Sequence, residues 1–267
     1  MSDPGPTDRA ESASSAELLR TIPTASAAWL AAAMSNPNLS AEHVSLIARS
    51  RSATEPLLQR IASDPRWAGD YKVKVSLVRN AHTPRPLGMS LVKHLFWRDL
   101  AIVSDDFLLA PPLRHLAERA LLDRLPELAV GERISLARIA GRGLHPALIL
   151  DSESRVLEAF LWNSRLTEQA LAGAINNPAT PRLTLAVIAA HPRWRARYAL
   201  RAALAKNRQT PLAITLGLLT SLTEPDLRGL AESAGTPLIL KLACLRVLGD
   251  PDWRKRRNED RDDPGSP

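Results

Sequence analysis

The sequence predicts an all-α protein: a right-handed solenoid of stacked short helices with an internal tandem duplication. Three observations predict it. Residues 30–121 overlay residues 157–248 without a gap. The pattern Asn-x-x-Thr-Pro punctuates the chain. The segments between these marks place apolar residues at helical spacing, and alternating β patterns and Gly-rich hairpin turns are missing.

The duplication is the strongest of the three. A shift of 127 residues carries Pro65-Arg66-Trp67 onto Pro192-Arg193-Trp194, Tyr71 onto Tyr198, and Asn36 and Asn80 onto Asn163 and Asn207. It also carries Ile61-Ala62 onto Ile188-Ala189 and Asp99-Leu100 onto Asp226-Leu227. There are 22 identities in 92 positions, where composition alone gives roughly a tenth. Rare residues hold their places, so compositional bias does not explain the match.

The punctuation reads as helix, turn, helix. Asn80-Ala-His-Thr83-Pro84, Asn177-Pro-Ala-Thr180-Pro181 and Asn207-Arg-Gln-Thr210-Pro211 share it. Asn is expected to end one helix in the left-handed conformation. Thr is expected to cap the next by accepting a backbone N–H bond. Pro is expected at the first helical position, where its missing N–H costs nothing. Pro211–Leu222, Arg182–Ala190 and Glu132–Ala140 each carry an apolar stripe. Helices of this length are marginal alone in water and need a neighbour.

In chain order, residues 1–14 are rich in Ser, Pro, Asp and Gly and are expected to be disordered. Ser14-x-x-Glu17 reads as a capping box that opens the first helix. A single solenoid is expected over 15–249: copy one at 30–121, connecting helices at 122–156, copy two at 157–248. Trp253-Arg-Lys-Arg-Arg257 and the acidic residues after it make 250–267 a charged, disordered tail.

Composition excludes several classes. Of 267 residues, 45% are apolar and 24% charged, the balance of a folded globular chain. No run suits a membrane span, and no signal peptide opens the sequence, so a cytoplasmic protein without membrane contact is expected. One cysteine, Cys244, excludes an internal disulfide and a cysteine-rich metal site. The six histidines are scattered without an i, i+4 pair, and no phosphate-binding or nucleophile-elbow motif occurs. Asp105-Asp106 reads as a capping loop. No catalytic residue, metal or cofactor is expected. The net charge of +7 comes mainly from Arg, with only six Lys. GC-rich coding gives the same bias as selection for an anionic partner.

Asn177-Pro-Ala-Thr-Pro181, Leu185, Ile188-Ala189, Pro192, Ala196-Arg197, Ala199-Leu200, Asn207 and Thr210-Pro211 together resemble the leucine-rich repeat variant. Ala196-Arg197 also resembles the hydrophobic-Arg step of HEAT repeats. The resemblance implies an all-helical solenoid used to bind other macromolecules. Some proteins of the variant class carry an N-terminal cysteine cluster for iron–sulfur, and this chain has none.

The candidate binding surface is Arg193, Arg195, Arg197 and Arg201, with Lys206 nearby. Arg beside Trp194 suits single-stranded nucleic acid. The competing reading is structural: Trp67 and Tyr71, like Trp194 and Tyr198, lie i, i+4 apart and staple neighbouring units. Arg195, Arg197 and Arg201 correspond to Ala68, Asp70 and Lys74, so the charge is not kept between copies. Arg197 is then expected to pair with a carboxylate or a helix C-terminus. The leading function is a non-catalytic scaffold for a protein partner. A nucleic-acid binder, including a DNA-glycosylase-like enzyme with Asp99 near Trp97, is the second. A regulatory or chaperone module for an enzyme is the third.

Overall fold

The computed structural model describes residues 6–249. The chain is 69% helical, and the described residues contain no strand. It divides into two compact units, Met1–Glu127 and Leu128–Pro267. The first holds α1 (Pro6–Ser12), α2 (Ser15–Thr21), α3 (Ala27–Ala33), α4 (Ala41–Arg49), α5 (Glu55–Ser63), α6 (Tyr71–Val78), α7 (Arg85–Val92), α8 (Trp97–Ser104) and α9 (Pro111–Arg124). The second holds α10 (Val130–Ile139), α11 (His145–Leu148), α12 (Ser154–Leu161), α13 (Glu168–Asn176) and α14 (Arg182–Ala190). It continues with α15 (Pro192–Arg195), α16 (Tyr198–Lys206), α17 (Leu212–Leu218), α18 (Glu224–Glu232) and α19 (Leu238–Gly249). No described helix is long and apolar enough to cross a membrane.

These helices are too short to persist alone, so packing holds them. In the first unit α1 packs on α3, α4 on α6, α7 on α9 and α8 on α9. In the second, α10 packs on α12, α13 on α16, α17 on α19 and α18 on α19. The apolar residues that recur at the 127-residue interval are core residues in both units. Leu58 and Leu185, Ile61 and Ile188, Leu77 and Leu204, Leu95 and Leu222, and Leu100 and Leu227 are all buried. Each such side chain contributes about 1.5–3 kcal/mol by leaving water.

The recurring Asn residues are connectors, buried at Asn36, Asn80 and Asn163 and half-buried at Asn207. Asn36 Nδ2 donates to the carbonyls of Ala10 (2.8 Å) and Ala13 (2.9 Å), and Asn163 Nδ2 to Ala137 (2.8 Å) and Ala140 (3.0 Å). Asn80 Nδ2 donates to Ala48 (2.8 Å) and Ser50 (2.9 Å). Asn207 Nδ2 donates to Ile175 and, at 3.5 Å, to Asn177. Each oxygen accepts the backbone N–H two residues on, at His82 for Asn80 and Arg165 for Asn163. The carbonyls left open at one helix end thus find donors on the segment after a later helix, with at least one helix between. Since Asn80 follows α6 and reaches the end of α4, α4 and α6 run in the same direction.

The expected chemistry of Asn-x-x-Thr-Pro is corrected in three details. No described residue outside Gly has positive φ, and Asn177 and Asn207 are extended at φ −75° and −80°. Thr83, Thr180 and Thr210 do not cap the following helix. Each hydroxyl donates back, at 2.6 Å, to the carbonyl six residues earlier: Leu77, Ala174 and Leu204. Pro84, Pro181 and Pro211 occupy the cap position itself, not the first helical turn. Pro restricts the residue before it to extended backbone, which leaves Thr free to close the preceding helix.

One boundary also differs from expectation. Residues 6–12 form α1, with Ala10 fully buried, although composition suggested disorder through residue 14. Burial and the Asn36 bonds supply what the sequence of α1 lacks. The segment 122–156 is helical for most of its length, from the end of α9 to the start of α12, and the division between the two compact units falls within it. The Ser14–Glu17 capping box is present, with Ser14 N–H donating to Glu17 Oε2 at 2.7 Å. The expected tail at 250–267 lies outside the described residues.

Candidate functional site

The basic segment of the second unit is engaged with its own protein. Arg193 stacks over the Trp194 ring at 4.3 Å and donates to the Asn163 carbonyl at 3.3 Å. Arg197 Nε lies 3.9 Å from Glu168 Oε2 at the start of α13. Arg201 sits 5.8 Å from the Tyr198 ring centre. Lys206 Nζ meets Asp226 Oδ1 at 2.6 Å. Arg195 is exposed. Four of the five candidate cations therefore already contact an aromatic ring or an oxygen, which weakens their use as a phosphate track.

The two Trp residues differ. Trp194 is 3% exposed and its Nε1 donates to the Leu161 carbonyl at 2.8 Å. Trp67 is half-buried, and its Nε1 is buried without a hydrogen-bond partner. Neither indole lies open as a stacking platform.

The Tyr residues tie helix starts together. The Tyr71 hydroxyl, on the first residue of α6, donates to Asp99 Oδ2 and accepts the Phe96 N–H at 3.0 Å. The Tyr198 hydroxyl donates to Asp226 Oδ2 and accepts the Thr223 N–H at 3.1 Å. Both acids lie in the first turn of a helix, α8 or α18, where the macrodipole favours a negative charge. Asp99, near Trp97 in the first turn of α8, thus accepts the Tyr71 hydroxyl. Burial, and then the bond to Asp99, push the Tyr71 phenol up to about 12. Lys206, then Tyr198, hold the Asp226 carboxyl below its ordinary value.

Other reactive groups are buried. His191 contacts the Trp162 ring, has both ring nitrogens buried without partners, and is pushed down by burial and then by Arg193. His145 packs edge-on against Phe160 and is also pushed down by burial. Burial raises the Cys244 thiol. Among the described residues no group of His, Cys, Asp and Glu is arranged to hold a metal ion.

Two surface features were not evident beforehand. One is the outward face of α19, where Leu238, Ile239, Leu242 and Leu245 are 71%, 55%, 57% and 56% exposed. Leu238, Leu242 and Leu245, with Leu248, Arg228, Lys241 and Glu232, border a groove of about 420 Å³. The other is a cavity of about 240 Å³ on α4 and α6 of the first unit, bordered by Arg49, Lys72 and Arg79. The signal for both lay in the 127-residue comparison, at positions where the copies differ in polarity. Compared with protein-family models, curated proteins and solved structures, the chain matches none.

Proposed function

We propose that the chain is a non-catalytic, cytoplasmic scaffold of HEAT-like or leucine-rich-repeat-variant units, built by tandem duplication, that binds a protein partner. Recurrence of the Asn, Tyr–Asp and helix-pair contacts at one interval supports the repeat reading. The observation that carries the binding reading is the face of α19. Its sequence is apolar around most of its circumference, a composition that suits a helix covered on both sides. The matching helix α9 carries Pro111, Pro112, His115 and Glu118 at the positions of Leu238, Ile239, Leu242 and Leu245. The same helix thus has a mixed, largely polar outer face in one unit and an apolar one in the other. A contiguous exposed apolar patch with cations at its edge is the common form of a protein-binding surface.

The test is affinity capture with the full chain and with Leu242→Glu/Leu245→Glu, at low salt and at about 0.5 M, where screening acts within a few Å. A partner kept at high salt by the wild type and lost by the variant supports the scaffold. Partners that the variant retains, or nucleic acid released as salt rises, overturn it.

A further inference from the structure

We propose that the cavity on α4 and α6 is a binding site for a single phosphate group carried by a small molecule. Three cations, Arg49, Lys72 and Arg79, border it against one carboxylate, Asp99. Asp99 accepts the Tyr71 hydroxyl and makes no ion pair with any of the three. The cavity lining therefore carries a surplus of two positive charges, and its three cations, each exposed to solvent, form no ion pair among the described residues.

The floor has hydroxyls. Ser45 Oγ and Ser76 Oγ share one hydrogen bond at 2.8 Å, and Ser76 is 4% exposed. Two hydroxyls carry two protons. One is used between them, and the other has no acceptor among the described residues. Either serine can carry the spare proton, Ser45 is half-buried, and an anion oxygen in the cavity would accept that O–H in place of water. Two guanidinium groups, an ammonium and a spare hydroxyl are the donor set that a tetrahedral oxyanion takes, and because Arg49 and Arg79 stand at the C-terminal ends of α4 and α6 their charge must also offset the helix dipoles there. The volume of about 240 Å³ suits a phosphate with a few attached atoms and not a folded peptide.

The second unit shows that these residues are not needed for folding. At the 127-residue interval Ser45, Arg49, Lys72 and Ser76 become Ala172, Asn176, Ala199 and Ala203, while Tyr71 and Asp99 remain Tyr198 and Asp226. Arg79 becomes Lys206, which is neutralised by Asp226. The Tyr–Asp contact is common to both units, and the cation–hydroxyl lining belongs to the first alone.

The experiment is calorimetric titration of the full chain with inorganic phosphate and phenyl phosphate, with a twelve-residue oligothymidylate alongside, at constant ionic strength near ~0.15 M. Expected is saturable one-to-one binding of phosphate and of the monoester, weakened about tenfold or more by Arg49→Ala and by Arg79→Ala. Ser45→Ala and Lys72→Ala, which install the residues of the second unit, should weaken it while leaving the circular-dichroism spectrum unchanged. Absence of saturable binding, or binding unaltered in all four variants, overturns the site. Oligothymidylate binding more than about 100-fold tighter than phosphate, with steep salt dependence, also overturns it and makes the cavity part of a strand track.

Discussion

The side-chain amide of Asn163 reaches back 26 residues to donate to the Ala137 carbonyl at 2.8 Å. Its second proton goes to the Ala140 carbonyl at 3.0 Å, and Asn163 itself is 1% exposed. Asn163→Ala leaves the Ala137 carbonyl without this donor and the Ala140 carbonyl with the 3.4 Å contact to His145 Nε2, at a cost of about 1–3 kcal/mol. Asn163→Asp should be worse, since a carboxylate places negative charge against carbonyl oxygens. Urea unfolding of both variants measures this, and a loss under about 1 kcal/mol from either would contradict the connector role.

The two Trp residues should respond unequally. Trp194→Phe deletes a buried bond to the Leu161 carbonyl, whereas Trp67→Phe removes an N–H that has no partner. The first should cost about 1–3 kcal/mol more than the second. Equal losses in equilibrium unfolding would show that the Leu161 contact contributes nothing.

Tyr71 should ionise near 12, well above the usual 10 for a phenol. The chain has only two Tyr residues, so Tyr198→Phe leaves one chromophore. Absorbance at the tyrosinate band then reads Tyr71 directly. As its folded pKa is raised, the unfolded chain releases the proton first, and stability should fall between about pH 10 and 12. Asp99→Asn, which removes the acceptor charge, should move the titration down.

His145 and His191 give an acid dependence of opposite sign. Burial lowers both below their ordinary value of 6.5. Their contribution to stability is full above that value and is lost as pH falls through the lower folded values, because the unfolded chain takes up protons first. Urea midpoints should fall from pH 7.5 to pH 5.5. The fall should be smaller in a His145→Gln/His191→Gln variant; an identical fall would place the acid sensitivity elsewhere.

The helical content and the buried recurring Leu and Ile residues were legible because apolar period and ungapped repetition are properties of the sequence itself. The marks at Asn80, Asn177 and Asn207 were legible as positions but not as chemistry. Asn donates across more than twenty residues and Thr closes the helix behind it, and neither partner can be read from five residues. Helix α1 was missed because Ala10 is covered by a later part of the chain. Arg193 to Arg201 stood out as a charge run, yet the Asn163 carbonyl and Glu168 that engage it are supplied by distant residues. The cavity at Arg49 and Arg79 was hidden because its residues are spread over α4 and α6.

The backward reach of the Asn side chains fixes an order of completion during synthesis. The carbonyls of Ala48 and Ser50 wait for Asn80, 32 and 30 residues downstream, and those of Ala10 and Ala13 wait for Asn36. At roughly 5–20 residues per second, each such delay lasts about 1–6 s. A nascent chain stopped just short of one of these Asn residues therefore carries a helix whose final carbonyls face water, and adding a single residue closes it. Ribosome-stalled chains ending a few residues beyond the exit of Asn80 should accordingly gain protease resistance in a step, and Asn80→Ala should erase that step.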